Sequence, residues 1–441
     1  MLTPRYIVRL TLAFFSRFKA IILIGMLSGV SLFFIVGLLI PLMSREGTRK
    51  IGVTGRFTAS TLPSNVLSKV SNGLTKMSED GTIEPDLATS WETPDKGKTW
   101  IFNLDQKRKW QDGKSITSET INYQFSDLEI ERPNENSIVF KLQNPYSPFP
   151  GVVSRPVFKK GLLGTGDYEV KRISVSGAGG IVTQLLLENK EKKRLIYKFY
   201  PSEERTKLAF KLGEIDEIEK LIDPKPLDTW EKIKVEKIND TGGHVAIFFN
   251  TQDKYLSEKN LRQALAYAID KDSLDGKRAI GPLSEISWGF NPQVKPYTHD
   301  PAKAKKTIDD LPKEFREGME INLATSSVLL DKAEKIAKSW EEVGVKTNIQ
   351  VYTAIPEDYQ ALLAIFDIPE DPDQYSIWHS TQTSTNITKY SNPRIDKLLE
   401  DGRGELNLEE RKKIYIDFQR FLVEDSPAIF LYYPTTYTIS R

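Results

Sequence analysis

The chain has 441 residues, of which 39% are hydrophobic and 27% charged, with 61 Lys and Arg against 60 Asp and Glu. The length predicts two or three domains, and the near-neutral charge excludes a global basic field, so we expect no nucleic-acid partner. The absence of cysteine excludes disulfides, thiolate nucleophiles, cysteine-ligated zinc and a lipidated N-terminal cysteine.

An apolar run near the N-terminus is the first predicted element. Residues 20–43 are rich in Ile, Leu, Val and Phe, and no residue between Lys19 and Arg45 is charged. A helix of that length rises about 36 Å, enough to cross a hydrocarbon layer of about 30 Å. The run exceeds the apolar part of a cleavable signal peptide and lacks an A-x-A site. We therefore expect an uncleaved transmembrane helix in contact with the lipid bilayer.

The charges that flank this run favour one orientation. Four basic residues precede it within residues 1–19, and three follow it within residues 44–50. This bias predicts that residues 1–19 are cytoplasmic. No later apolar run has comparable length, so we expect the rest of the chain to form one monomeric body on the extracytoplasmic face, at the cell surface or in the periplasm.

The first half of this body contains predicted strands and a helix. Patterns rich in β-branched and aromatic residues predict strands at 99–104, 138–142 and 193–200. The glycine-rich run 177–180 lacks the spacing of a nucleotide-binding loop and is typical of a hairpin turn. A helical spacing of apolar residues over 202–212 predicts a helix that ends at Gly213.

The second half alternates more regularly between strands and helices. The patterns predict strands at 245–250, 320–324, 345–352 and 428–433, and helices at 261–269, 329–343 and 408–423. Residues 320–352 therefore form a predicted βαβ unit, which implies locally parallel strands and a right-handed crossover.

The motifs of common enzymes and metal sites are missing from the sequence. The three histidines, His244, His299 and His379, are far apart and form no metal-binding spacing, so we expect no metal and no cofactor. There is no G-x-S-x-G nucleophile elbow. The acidic pair Glu370 and Asp371 has the chemistry for acid–base work, but such pairs arise by chance among 60 acids. We therefore predict that the protein is not an enzyme.

Several segments resemble a known family when they are taken together. They are Pro85-Asp-Leu-Ala-Thr-Ser-Trp91, Trp110-Gln-Asp-Gly113, Gly164-Thr-Gly-Asp-Tyr168, Phe249-Asn-Thr251, Leu261-Arg-Gln-Ala-Leu-Ala-Tyr-Ala-Ile-Asp270, Asp371-Pro-Asp-Gln-Tyr375 and Tyr390-Ser-Asn-Pro393. Their number and order resemble the family 5 extracellular solute-binding proteins, the group that binds oligopeptides, dipeptides and nickel. Asp167 stands where the family usually has proline.

The resemblance implies a mixed α/β, two-lobed fold of the periplasmic-binding-protein type (type II, the "Venus flytrap") with a small extra subdomain. On this division, lobe 1 spans 44–242 with the subdomain at about 71–160, lobe 2 spans 243–425, and 426–441 is a return strand to lobe 1. The resemblance implies capture of peptides, or a peptide-like solute, and delivery to the permease subunits of an ABC importer. A non-peptide solute such as a nickel chelate, and a ligand sensor without transport, remain open alternatives.

The resemblance also implies where ligand contacts lie. A buried ligand amine requires a carboxylate, since an unpaired buried charge costs several kcal/mol. An acid just before a "DP" pair contacts the peptide amine in relatives, and both Asp367 and Asp371 qualify, with Asp371 favoured. The alternative is a turn whose acids face solvent.

Aromatic side chains near this segment are the other predicted ligand contacts. Trp288, Tyr375 and Trp378 offer large contact areas with a polar handle, although core packing explains them equally well. Asn250 is predicted to lie on the hinge side of the cleft, because the strand before it is expected to cross between the lobes.

Overall fold

The computed structural model describes residues 17–21, 24–32, 47–353, 356 and 358–441. Residues 17–21 and 24–32 are helical. Within the described ranges, no helix has both the length and the apolar character needed to cross a membrane. Most of the predicted anchor at 20–43 lies outside the described residues, and the anchor therefore stays a prediction.

The first half of the described chain is rich in strands. Its strands are β1 (Thr48–Thr54), β2 (Thr75–Met77), β3 (Ile83–Pro85), β4 (Ala88–Glu92), β5 (Thr99–Leu104), β6 (Glu129–Asn134), β7 (Ser137–Lys141), β8 (Tyr168–Ser176), β9 (Ile181–Asn189), β10 (Arg194–Tyr200), β11 (Glu217–Leu221) and β12 (Lys234–Asn239). Its helices are α1 (Ser64–Val70), α2 (Phe149–Val152) and α3 (Glu203–Lys211). The strands predicted at 99–104, 138–142 and 193–200 are confirmed, as is the hairpin turn between β8 and β9.

The second half alternates strands with longer helices. Its strands are β13 (Gly243–Phe249), β14 (Lys277–Arg278), β15 (Glu320–Ser326), β16 (Lys346–Tyr352), β17 (Ala361–Asp367), β18 (Ala428–Tyr433) and β19 (Thr435–Ser440). Its helices are α4 (Lys259–Ala268), α5 (Pro301–Asp309), α6 (Lys313–Arg316), α7 (Leu330–Glu342), α8 (Tyr375–Trp378), α9 (Pro393–Gly404) and α10 (Leu408–Asp425). The mixed α/β class is confirmed.

Two large sheets organise these elements. The first has the strand order β12-β19-β11-β1-β10-β9-β8, and the second has the order β14-β18-β13-β17-β15-β16. In the second sheet β15 pairs in parallel with β16, with α7 between them in sequence, so the predicted βαβ unit is confirmed. Strand β13 is buried along its whole length because it lies between β17 and β18.

The chain passes between the two sheets at two adjacent places. Strand β12 leads into β13 through residues 240–242, and β18 leads into β19 through Pro434. The amide of Asp240 donates to the carbonyl of Pro434 at 2.8 Å, and the amide of Ile368 donates to the carbonyl of Gly242 at 2.8 Å. Residues 428–433 thus belong to the second sheet, and only 435–440 return to the first.

A smaller body packs beside the first sheet. It contains the four-stranded sheet β4-β5-β7-β6 and the hairpin of β2 and β3. Its core is aromatic: Phe102, Phe140 and Phe149 are buried and their rings contact one another. This core is continuous with the loops that reach the cleft described below, and it therefore fixes the position of one cleft wall.

One buried group makes the stability of the second sheet depend on pH. The His244 ring is 2% exposed between Phe248, Phe366 and Phe430, and neither ring nitrogen has a hydrogen-bond partner among the described residues. Burial lowers the pKa of His244 to about 3. In the native state His244 stays neutral at pH values below about 6.5, where the same side chain of the unfolded chain binds a proton. The free energy of unfolding therefore falls as the pH falls below about 6.5.

We expect this histidine to lower the free energy of unfolding by about 3 kcal/mol between pH 7 and pH 4. Urea unfolding of wild type and His244→Phe at both pH values measures the effect, and the variant should lose much less stability at pH 4. His299→Gln is the matched control, because His299 is exposed. Equal losses in wild type and His244→Phe would contradict the assignment.

Candidate ligand-binding cleft

A cavity of about 870 Å³ lies where the small body meets the second sheet. One wall comes from residues 64–77, Asp86 and residues 146–156, and the opposite wall from residues 368–371. The wall at 368–371 follows β17 directly, so the sheet holds it in place. The volume of the cavity falls in the range of about 300–1,000 Å³ that is typical of ligand sites.

Two further cavities adjoin this one. A cavity of about 410 Å³ lies at the crossings and is lined by residues 238–242, 284–287 and 368–370. Ser284 lines it, and the hydroxyl of Ser284 is buried without a partner among the described residues. A cavity of about 710 Å³ lies on the other side, lined by residues 142–146, Tyr375 and Arg403.

The tip of the β2–β3 hairpin contacts the second half of the chain beside the cleft. The backbone amide of Trp288 donates to the carbonyl of Asp80 at 2.8 Å. Gly81 adopts φ +85°, and a Cβ there would lie 2.5 Å from the carbonyl oxygen of Glu370 and 3.4 Å from the Trp288 ring. We call this the tip contact (Asp80, Gly81, Trp288 and Glu370). Only glycine fits at position 81 in this arrangement.

A buried ion pair lies behind the wall at 368–371. Both carboxylate oxygens of Asp371 accept from Arg411, at 2.8 and 2.6 Å, and the Arg411 Nε donates to the carbonyl of Gly402. Burial lowers the pKa of Arg411, but Tyr415 and Asp371 outweigh that effect and raise it above its ordinary value. The Arg411 guanidinium also faces the rings of Trp288 and Tyr415.

A second arginine links α9 to the small body. The Arg403 Nε donates to Asp373 at 2.9 Å, and its guanidinium lies 4.0 Å from the Tyr375 ring and 5.2 Å from the Tyr146 ring. The amide of Ser147 donates to the Arg403 carbonyl at 2.7 Å. Burial raises the pKa of Asp373, while the charge of Arg403 opposes that rise.

The amino-acid sequence matches a known protein family. The sequence model of "Bacterial extracellular solute-binding proteins, family 5 Middle" matches residues 82–386. The chain belongs to this family. The resemblance seen in the sequence is thereby confirmed.

Individual relatives of this family 5 protein are distant but cover most of the chain. It is 24% identical to the probable D,D-dipeptide-binding periplasmic protein DdpA of Escherichia coli, over 79% of this chain and 79% of the relative. It is 23% identical to the oligopeptide-binding protein AppA of Bacillus subtilis, over 82% and 80%. Its fold is similar to that of NikZ from Campylobacter jejuni in complex with Ni(L-His), with TM-score 0.72, 23% identity and coverage of 90% and 94%.

The predicted ligand residues of this family 5 protein have different environments. Asp371 lines the cleft but is paired with Arg411, and Trp288 lies beside the cleft in the tip contact. Tyr375 lines the cavity of about 710 Å³ and stacks on His379. Trp378 is 2% exposed in the core, where its Nε1 donates to Gln374.

The other two predicted residues lie away from the cavity lining. Asp367 is the exposed last residue of β17, paired with Gly243. Asn250 follows the far end of β13, where its amide donates to the carbonyl of Gln360. The expectation that the strand before Asn250 crosses between the sheets needs correction. Among the described residues β13 pairs with β17 and β18, both in the second sheet, and the crossing lies at 240–242.

Two charged residues of the cleft were not predicted as ligand contacts. Arg155 and Glu370 both line the main cavity and are exposed. In the described part of the chain, neither charged group has a hydrogen bond or ion pair to another side chain. Glu370 adjoins the predicted Asp371, so its position was accessible from the sequence. No pattern around Arg155 indicates its location, because the loop after α2 brings it to the cleft.

Proposed function

We propose that this protein captures peptides in the main cleft and delivers them to the permease subunits of an ABC importer. The observation that carries the proposal is a cavity of about 870 Å³ whose facing walls come from the small body and from the second sheet. The names of DdpA and AppA support peptides as the ligand class. The family consists of solute-binding proteins, and we accordingly propose no catalytic step.

Capture is proposed to work by closure of two lobes, 44–242 with its subdomain at about 71–160 and 243–425. The two chain crossings at 240–242 and Pro434 would serve as the hinge. A ligand that contacts both walls stabilises the closed form over the open one, and the permease binds the closed form. A carboxylate within residues 367–371 anchors the ligand amine, and Tyr375 covers part of the ligand from the adjoining cavity.

We further propose that residues 20–43 hold this monomeric body at the extracytoplasmic face of the cell membrane. Their length and apolar character support this role. An anchor of this kind raises the local concentration of the protein around its permease without adding any contact.

A nickel chelate is a second candidate ligand, because the fold is similar to that of NikZ in complex with Ni(L-His). The described residues contain no group of three or more His, Cys, Asp or Glu side chains able to hold a metal ion. A metal would therefore have to arrive with its own organic ligands.

We expect the full-length protein, purified in mild detergent without refolding, to carry a mixture of short peptides. Mass spectrometry of the released small molecules measures this directly, and masses spaced by amino-acid residues are the expected result. A purified sample treated with denaturant and refolded is the empty control. A protein that stays empty, and whose Tm a peptide library leaves unchanged, would contradict peptide capture. A released nickel complex would favour the chelate instead.

A further inference from the structure

A fourth cavity lies inside the second half of the chain, separate from the cleft. The end of α4, strand β14, residues 295–297, the end of α10 and the start of β18 surround it. Its volume of about 10 Å³ is the room that a single water-sized particle needs. The residues that line it differ from those that line the three cavities described above. An occupant of this cavity would therefore be distinct from the captured ligand.

The charges around this cavity are all positive. Among the described residues, its lining contains the cations Lys271, Arg278 and Lys295 and no acid. Lys271 is 5% exposed, and in the described part of the chain neither Lys271 nor Arg278 forms an ion pair. Lys295 is partly exposed and lies 3.4 Å from Glu424. Two neighbouring cations without an anion are costly to bury, because both lose their hydration and repel each other.

Backbone carbonyl groups stabilise the two buried cations without neutralising them. The Lys271 ammonium donates to three carbonyl oxygens, including that of Tyr297 at 2.7 Å. The Arg278 guanidinium donates to the carbonyls of Leu431 at 2.8 Å and Pro296 at 3.0 Å. Burial and the charge of Arg278 lower the pKa of Lys271 to about 7, although its two acidic sequence neighbours oppose the shift. The cavity thus retains a positive potential that the protein leaves uncompensated.

The remaining polar groups of the lining are fixed in position. The hydroxyls of Tyr297 and Ser426 lie 3.0 Å apart. Both residues have a left-handed backbone, with φ +46° and φ +50°, which residues other than glycine rarely adopt. Such conformations persist only where surrounding contacts hold them, and they cluster around ligand sites. The Nε of Arg278 has no hydrogen-bond partner among the described residues, so one donor of this lining residue is unused.

We propose that this cavity binds one small monovalent anion of the size of chloride. The anion supplies the counter-charge that Lys271 and Arg278 lack, and the unused Nε–H of Arg278 donates to it. The cavity is too small for sulfate, phosphate or an organic carboxylate. Because the same two cations hold carbonyl groups of residues 296–297 and of β18, a bound anion stabilises the folded protein at the edge of the second sheet. This site is independent of peptide capture.

Thermal unfolding of the full-length protein in mild detergent tests the site. The Tm is measured at equal ionic strength in sodium chloride, sodium bromide and sodium gluconate. We expect the Tm to be at least about 3 °C higher in chloride than in gluconate, because an anion that binds only the folded state stabilises it by mass action. Bromide should act like chloride, since the two ions are similar in charge and radius. Gluconate is too large to enter. Equal Tm values in chloride and gluconate would overturn the proposal.

Two arginine variants separate the site from a general effect of salt. Arg278→Met should abolish the difference between chloride and gluconate. Arg316→Met is the matched control and should keep that difference, because Arg316 is exposed on α6 and lies outside the lining of the fourth cavity. If both variants respond to chloride as wild type does, the effect arises elsewhere on the protein and the assignment is wrong.

Diffraction from wild-type crystals locates the anion even if Arg278→Met does not fold. Crystals of the full-length protein are grown in sodium bromide, and data are collected at the bromine absorption edge. We expect an anomalous peak inside the cavity, in contact with the Arg278 guanidinium. Peaks only at exposed lysines, or a water molecule in the cavity without anomalous signal, would overturn the proposal.

Discussion

Replacing Gly81 by alanine is expected to lower peptide affinity at least about tenfold, while the unliganded protein stays folded. A Cβ at this position would lie 2.5 Å from the carbonyl oxygen of Glu370, a backbone atom that cannot rotate away. On the proposed closure mechanism the hairpin tip meets the opposite wall in the closed form, and we therefore expect the clash to penalise that form. The proposed mechanism couples ligand binding to closure, so destabilising the closed form by about 1.4 kcal/mol is expected to reduce affinity tenfold.

Gly113→Ala separates this clash from backbone strain. Gly81 and Gly113 have nearly equal backbone angles, φ +85° and φ +80°, so an alanine side chain is similarly strained at both. No atom lies within 4 Å of a Cβ at Gly113. Calorimetric titration with a retained peptide should show a loss of affinity for Gly81→Ala only. Small-angle scattering should show that this variant no longer contracts on binding. Equal affinities in the two variants would contradict a role for the tip contact in closure.

The elements that the sequence predicted are those whose signal is local. The strand at 99–104, the βαβ unit at 320–352 and the helix starting at Leu408 each carry a period of apolar residues within one short window. The tip contact carries no such signal. Asp80 and Trp288 are far apart in sequence, and their contact is made by two backbone groups, which leave no trace in residue type.

The site residues show the same limit. Asp371 was predicted as a ligand anchor because its neighbours resemble a family motif, but its Arg411 partner lies on α10, 40 positions later. Helix periodicity predicts that Arg411 lies on a helix and cannot say that its guanidinium turns inward. Trp378 likewise has the residue type of a ligand contact and the environment of a core residue. Only tertiary structure separates these alternatives.

Replacing Arg411 by methionine is expected to lower the free energy of unfolding by about 3 kcal/mol or more. The two side chains of the pair are 7% and 15% exposed, so water compensates the remaining carboxylate poorly. Removal of one partner of a buried ion pair typically costs about 3–5 kcal/mol, because the other charge is left unpaired. In the variant, the Asp371 carboxylate would lie beside the Asp373 backbone amide with no counter-charge. Glu370, the preceding residue, adds a second negative charge nearby.

Two further variants identify charge as the cause. Arg420→Met removes an arginine from the same helix whose ion pair with Asp417 is about half exposed, so it should change stability by less than about 0.5 kcal/mol. The double variant Asp371→Asn with Arg411→Met keeps the oxygen that accepts from the Asp373 amide but removes the stranded charge. Urea unfolding should show that the double variant is more stable than Arg411→Met alone. A double variant no more stable than the single one would mean that Arg411 stabilises the wall through its packing against Trp288 and Tyr415, and that its charge is incidental.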